Sequence, residues 1–397
     1  MRTRYFRDTK GKPSIKAVVY EKKDHSIRKS SIDMDARKIC ARLSEQGHEA
    51  YVVGGAVRDL LLGRTPKDFD IATDATPSRV KKLFRNSRII GKRFRLVHVF
   101  YKDGKILEVA TFRAPESGDR NHVFGTLHED VMRRDFSLNA LYYNPEEETI
   151  IDFVGGVKDI RKGVVRSVLP LSTSFSEDPV RMLRAVKYAA MTGMRISYPV
   201  GRRIRKQAEL LSTASVSRLS EELHKILKSQ NSEGILRLMD RYRLLAPLLP
   251  EFFKRFAAAK SDSLKEAFFL SMARLDQRML SEDVSRGVMI RYLSEDVLAS
   301  EGAFTPKDRR SPLFMDVVKQ LKELLKPLVQ PNRDVEEAVR VLFTERGHKL
   351  PRKRPRHPEV RAGESERERA GAGERNRRRR RRRRKNPSNQ PVVASKS

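Results

Sequence analysis

Residues 51–73 read YVVGGAVRDLLLGRTPKDFDIAT, and the fold and the chemistry both turn on this stretch. An apolar strand runs into Gly54 and Gly55, and a short helix starts near Val57. Two glycines let the backbone approach an anion closely, helix N-terminal amides point toward it, and Arg58 in the first helical turn adds positive charge. Alone, such a turn is more often only a tight strand-to-helix connection. Asp68 and Asp70 then sit two apart in a β-like run, so both carboxylates project from one face. In isolation that pair reads as a solvated strand edge. Five residues after Gly63 and beside a phosphate-binding turn, it reads as a magnesium site, because magnesium takes few protein oxygens and completes its shell with water and substrate phosphate.

Working outward, Glu108 in ILEVATFR (106–113) is the best third carboxylate, since Leu107 and Val109 make a lone charge there costly without a cation. Asp135 in MRRDFSLNALYY (132–143) is a fourth acid. It serves either the chemistry or as a salt-bridge anchor for Arg133 and Arg134. In SEDPVRMLRAVKYAA (176–190), Glu177 and Asp178 stand at a helix start, where acids complement the dipole, and Arg181 and Arg184 follow on one face. An Asp/Arg pair offers an acceptor and a donor to a base edge, which suits nucleotide selection without a template strand.

The chain has 397 residues, more than one hydrophobic core usually holds. Residues 1–32 are basic and read as an extended arm. Residues 33–176 open with a helix (Ala36, Ile39, Cys40, Leu43) and then alternate β-like runs with turns and short helices. Strand signals stop after Glu177, and helical patterns fill 177–245 and 246–350, broken at Pro199, Pro247, Pro250 and Pro312. The class is therefore α+β: a mixed α/β first half and an all-helical second half. Residues 351–397 carry 18 Lys/Arg against 5 Asp/Glu and include eight consecutive arginines, Arg377–Arg384, a composition that predicts disorder.

The formal net charge is +33, of which about +20 falls before residue 351, so the basic excess belongs to the whole chain. A field of that sign favours a polyanion: RNA, or an anionic membrane surface for the arginine run. No apolar run is long enough to span a bilayer, and MRTRYFRDTKGKP lacks the apolar core of a signal peptide. A lone cysteine, Cys40, forms no internal disulfide and points to a reducing, cytoplasmic setting. The eight histidines are scattered, without zinc spacing, and His98 reads as a packed strand residue.

The ordered set VVGGAVRDLLLG, KDFDIAT, EVATFR, RRDFSLNALYY, DFVGGVKDIRKG, EDPVRMLRAVKYAA and SRLSEELHKIL resembles the head and neck motifs of the class II nucleotidyltransferases, the bacterial poly(A) polymerase and CCA-adding tRNA nucleotidyltransferase family. The likeness covers roughly Ala50 to Leu227. It implies a nucleotidyltransferase-fold head with a mixed sheet, then helical neck and body domains. It also implies Asp68 and Asp70 as the metal-binding catalytic pair, with Glu108 and Asp135 as associated acids. Gly54, Gly55 and Arg58 would hold the triphosphate, Arg134, Arg181 and Arg184 would contact the nucleotide, and Asp178 with Arg181 would read the base. Within the family, IIGKRFRLVHVF (89–100) and HSIR (25–28) resemble the poly(A) polymerases, as does an arginine-rich tail suited to gripping the phosphates of many RNAs. The implied activity is adenylate transfer from ATP to RNA 3′ ends. CCA addition, and a non-catalytic basic RNA-binding factor on the same fold, are the rivals. Three departures stand out: Ser137-Leu138 replaces the more usual Thr-Ile, the loop from Ala114 to His122 is short, and little likeness extends beyond about residue 250.

Overall fold

Strand β3 (Ala50–Val53) lies at the middle of a nine-stranded mixed sheet in the computed structural model, which describes residues 1–7, 13–91, 96–114, 124–259, 262–305 and 314–351. Before it come β1 (Arg2–Arg7), β2 (Pro13–Tyr20) and helix α1 (Met34–Glu45); after it, α2 (Gly55–Leu61), β4 (Asp70–Thr73), α3 (Pro77–Leu83), β5 (Ser87–Ile90), β6 (Leu96–Phe100) and β7 (Ile106–Thr111). Helix α4 (Leu127–Met132), β8 (Tyr142–Asn144), β9 (Thr149–Asp152) and α5 (Gly156–Arg161) complete this half. The strand order is β1-β2-β9-β8-β3-β4-β7-β6-β5. Only β4 against β7 is a parallel pair; the rest are antiparallel.

The two faces of the sheet have different fates. Val52, Ile71, Val97 and Val109 point into a large core with Ile39 and Leu43 of α1 and Val80 of α3. Tyr51, Val53, Ala72 and Tyr142 point the other way, where Leu127 and Val131 of α4 cover only part of the surface. Asp70 and Glu108 lie on this second, incompletely covered face, because they alternate with Ile71 and with Leu107 and Val109.

The sequence reading of 1–32 as an extended arm is corrected: β1 and β2 form a hairpin, and β2 adds to the sheet through Val18, Val19 and Tyr20 opposite Asp152, Ile151 and Ile150. Ala17, Val19 and Tyr20 are buried, a strand signal diluted by the surrounding charge. The helical half also contains one departure. Between α6 (Ser174–Glu177), α7 (Val180–Thr192) and α8 (Tyr198–Gln207), strand β11 (Arg195–Ile196) pairs in parallel with β10 (Val164–Val165). Helices α9 (Val216–Leu227), α10 (Ser232–Arg241), α11 (Leu245–Leu248), α12 (Pro250–Ala258), α13 (Ser263–Ser281), α14 (Arg286–Ser300), α15 (Phe314–Leu324) and α16 (Asn332–Glu345) follow. One apolar cluster runs from Tyr20 through α7 to Phe343, and residues 1–349 form one body. Most of the short loop after Ala114 and almost all of the arginine-rich tail lie outside the described residues.

No described helix is long and apolar enough to cross a membrane. Cys40 is buried and its thiol is pushed up to about 12 by burial, so it is a small core residue.

Gly156, on α5, packs so closely on the turn after Asp135 that an added Cβ would collide with the Ser137 carbonyl oxygen and stand 3.0 Å from Leu141 Cδ2. Backbone cannot yield there cheaply. Gly156→Ala is expected to destabilise by about 1–3 kcal/mol or more, as overpacking does, read as a lower denaturant midpoint; an unchanged midpoint would refute the close approach.

Candidate active site

Strand register builds the site. In the parallel pair, Ile71 stands against Val109, so Asp70 at the start of β4 and Glu108 on β7 lie side by side on one face. Asp68, two residues earlier, shares that side, and all three are exposed. Across β6–β7, His98 stands opposite Glu108, with Nε2 3.2 Å from Oε1. His98 is a half-buried residue of β6, in line with its reading as a packed strand residue, and its ring also meets a site carboxylate. Asp70 is pushed up to about 6, by partial loss of hydration in the concave surface and then by the charges of Glu108 and Asp68, with Arg134 opposing. An acid open to solvent on its own strand would not be so displaced. Crowded, under-neutralised carboxylates are the donor set a hard dication fits, although among the described residues no three acidic, histidine or cysteine side chains close on a single point.

The glycine turn sits next door, since Val53 pairs with Asp70 and Gly54 follows. Gly54 has φ +68° and ψ −125°, a conformation glycine adopts readily. A Cβ there would also press to 3.4 Å from Arg134 Nη1. The chain holds a second Gly-Gly turn, 155–156, and the comparison is informative. At that turn the Asp152 carboxylate accepts from the amides of Gly155 (2.7 Å), Gly156 (3.0 Å) and Val157 (3.0 Å). Its anion site is filled from within. Among the described residues, no side chain accepts in this way from the amides of Gly55, Ala56 or Val57 at the start of α2.

Several expected phosphate contacts are already engaged. Arg58 is buried; Nε and Nη2 donate to Asp59 (2.8 and 2.9 Å) and Nη1 to Asn139 Oδ1 (2.9 Å), beneath Gly55. It shapes the turn from behind. Arg134 donates to Tyr142 Oη (2.7 Å), the Asn139 carbonyl (3.1 Å) and Asp130 Oδ2 (3.1 Å). Asp130, which sequence reasoning missed, also accepts from Arg133 Nε (2.8 Å) and the Arg113 amide (3.1 Å). Burial would raise it, but Arg134 and Arg133 hold it below the usual carboxylate range. Its signal was the spacing of Asp130, Arg133 and Arg134 on one helical turn.

Asp135 anchors arginines, but not its neighbours in sequence. It accepts from Arg181 Nε (3.0 Å) and Arg184 Nη1 (2.6 Å) of α7, while Asp130 takes Arg133 and Arg134. Asp135 thus ties the sheet half to the helical half. Asp178 lies 3.9 Å from Arg181 Nε and accepts from Arg218 Nη2 (2.6 Å) on α9. Arg218 and the buried Glu222, which pairs with Lys187, were also missed.

The chain is similar to known proteins over both of its halves. The family model described as "Poly A polymerase head domain" matches residues 50–166, and "Probable RNA and SrmB- binding site of polymerase A" matches 193–255. Poly(A) polymerase I of Salmonella typhi is 40% identical over 281 residues, 67% of this chain and 60% of that protein. A CCA-adding enzyme of Leuconostoc mesenteroides is 30% identical over 74% of this chain and 77% of its own. The crystal structure of a Bacillus stearothermophilus CCA-adding enzyme in complex with CTP superposes with TM-score 0.53 at 29% identity, covering 78% of this chain and 82% of that one. This chain belongs to the poly(A) polymerase and CCA-adding enzyme family. It spans about 60% of the length of the poly(A) polymerase I relative. Family membership accounts for the shared head fold and for the match of an RNA-binding region to the helical half.

The crowding at Asp70 has a sign that can be measured. Its pKa in the fold is above the unfolded carboxylate's, so the folded protein holds an extra proton between about pH 4 and 6, and stability falls as pH rises through that window. Without divalent ions, Asp70→Asn is expected to melt above wild type at pH 7.5, with the gap shrinking toward pH 5. Equal melting points at pH 7.5 would contradict the carboxylate repulsion.

Proposed function

We propose that this protein is a template-independent nucleotidyltransferase that adds AMP from ATP to RNA 3′ ends, that is, a poly(A) polymerase. The observation that carries the reading is the crowding of Asp70, Glu108 and Asp68 beside a glycine turn whose helix lacks a side-chain cap. In the reaction the 3′ oxygen of RNA forms a bond to the α-phosphorus of ATP, the bond to pyrophosphate breaks with its electrons on the leaving group, and the hydroxyl proton is lost. Asp68, Asp70 and Glu108 would hold magnesium, which when bound neutralises charge on the reacting phosphates and lowers the pKa of a coordinated oxygen.

The chain's own groups do the remaining work in this reading. Amides after Gly54 receive the triphosphate, and Arg134 and Arg58 fix the turn from behind. Asp178 and Arg181 offer an acceptor and a donor to one base edge, with Asp135 and Arg218 setting their positions. Arg184, beside Arg181 on Asp135, adds positive charge at the junction of the two halves. Asp135 acts here as a positioning acid, not as a fourth ligand.

Two features favour adenylates over CCA addition. Identity to the poly(A) polymerase I relatives is 38–43%, against 30–36% to the CCA-adding enzymes. The HSIR segment is also built into the fold: His25 Nε2 donates to the Glu148 carbonyl (2.9 Å) and Nδ1 accepts from the Ile27 amide (3.2 Å). In IIGKRFRLVHVF, residues 92–95 lie outside the described residues. The arginine-rich tail would add phosphate contacts of no sequence preference.

Incubating the purified protein with a generic RNA and each NTP separately is expected to give long A tails with ATP alone. A short CCA end would overturn the adenylate assignment, and no product would favour the non-catalytic rival. Asp70→Ala is expected to abolish addition while RNA affinity stays nearly unchanged; retained activity would refute the role of the carboxylates.

A further inference from the structure

Helix α8, YPVGRRIRKQ, carries Arg202, Arg203, Arg205 and Lys206 and no acidic residue. Other helices of this half pair their cations one turn away, as in Arg237 with Glu233, Arg255 with Glu251 and Lys225 with Glu221. On α8 the like charges three and four residues apart oppose helix formation. At 3.6 residues per turn, Val200, Gly201 and Ile204 face inward and are buried, whereas Tyr198, Arg202, Arg205 and Lys206 share the outward arc. Tyr198 is 79% exposed. Arg205 lies over the Tyr242 ring, 4.4 Å from its centroid, and the same ring packs on Gly201, where a Cβ would meet Tyr242 Cε1 at 3.1 Å. The helix is thus seated closely and Arg205 is held by stacking before any ligand arrives.

The location connects this face with the candidate active site. The Ser197 amide donates to the Val165 carbonyl (3.1 Å) just before α8 begins, and three residues along the same segment the Val168 amide donates to the Asp135 carbonyl (3.1 Å). Three residues of extended chain span ~10 Å. The backbone that leads into α8 is therefore tied, through ~10 Å of chain, to the backbone of the acid that holds Arg181 and Arg184.

We propose that the outward face of α8 is a platform for the unpaired nucleotides just upstream of the RNA 3′ end: Tyr198 stacks on a base while Arg202, Arg205 and Lys206 take consecutive phosphates. This rests on the RNA 3′-end reading above and on the match of residues 193–255 to a probable RNA-binding region, and adds the face and the mode of contact. A cationic track interleaved with an exposed ring is the way proteins hold single strands without reading sequence, and a ring at the surface stacks on a base only where that base is not paired.

The test uses the full chain without nucleotide, binding a labelled oligo(A) and a blunt RNA duplex over a salt series. Simultaneous Arg202→Ala, Arg205→Ala and Lys206→Ala is expected to lower the slope of log K against log salt for the single strand by about 2, at ~0.7 per phosphate contact. Tyr198→Ala should weaken single-strand binding by about tenfold and leave duplex binding unchanged, with Tyr198→Phe restoring it. In steady-state addition the triple variant should raise KM for a long primer at near-normal kcat, and match wild type on a dinucleotide, which is too short to reach α8. A wild-type protein that extends no primer fails the functional reading itself. A wild type that extends primers, with slope and KM unchanged in the triple variant, overturns the platform alone and leaves this face to an acidic protein partner.

Discussion

Repulsion among carboxylates organises this molecule. Asp70 and Glu108 are forced onto one face by a single parallel pairing in an otherwise antiparallel sheet, and Asp68 joins them from the incoming loop. Among the described residues nothing fully neutralises them: Arg134 is near enough to lower Asp70 but is committed to Tyr142, Asn139 and Asp130, and His98 offers Glu108 one ring nitrogen. A stable sheet would place a lysine there. Leaving the charge uncompensated costs stability, and such costs persist where a cationic ligand repays them.

The arginines separate into two populations, and the separation explains how one basic chain can be both folded and receptive. Arg58 and Arg134 are spent internally on Asp59, Asn139 and Asp130, while Arg181 and Arg184 are fixed in place through one side of each guanidinium by Asp135. A buried guanidinium with carboxylate partners is a rigid strut, and these struts brace the glycine turn and the junction between the sheet and helical halves. Arg202, Arg205 and Lys206 have no acidic neighbour on their helix and remain at the surface. Net charge alone does not distinguish the two roles; ion-pair geometry does.

This division also marks what the sequence made legible. Strand-turn-helix at 51–61 and the alternation that aligns Asp68 with Asp70 are local, and both were readable from spacing. Glu108 was readable because a charge between Leu107 and Val109 must emerge on the uncovered face. Partners separated by 40 or more residues were not: Asp135 with Arg181 and Arg184, or Asp178 with Arg218, depend on how α7 and α9 dock on the sheet. The hairpin β1–β2 escaped because arginines and lysines mask its alternation. Asp130 escaped because an acid before two arginines looks like an ordinary surface pair until burial reveals four donors around it.

The two glycine turns show why motif and function part company. Both follow a strand, both begin a short helix, and both place a left-handed glycine at the turn. Asp152, just before the second, folds back and fills its own anion site. Val53 stands one residue before the first and its side chain offers no oxygen, and among the described residues no carboxylate takes that place beside the crowded acids. A phosphate-binding turn is therefore identified less by its glycines than by the absence of an internal carboxylate to satisfy them. Around residue 54 that absence coincides with an excess of negative charge on the adjoining strands, a combination that a triphosphate could relieve only together with a cation.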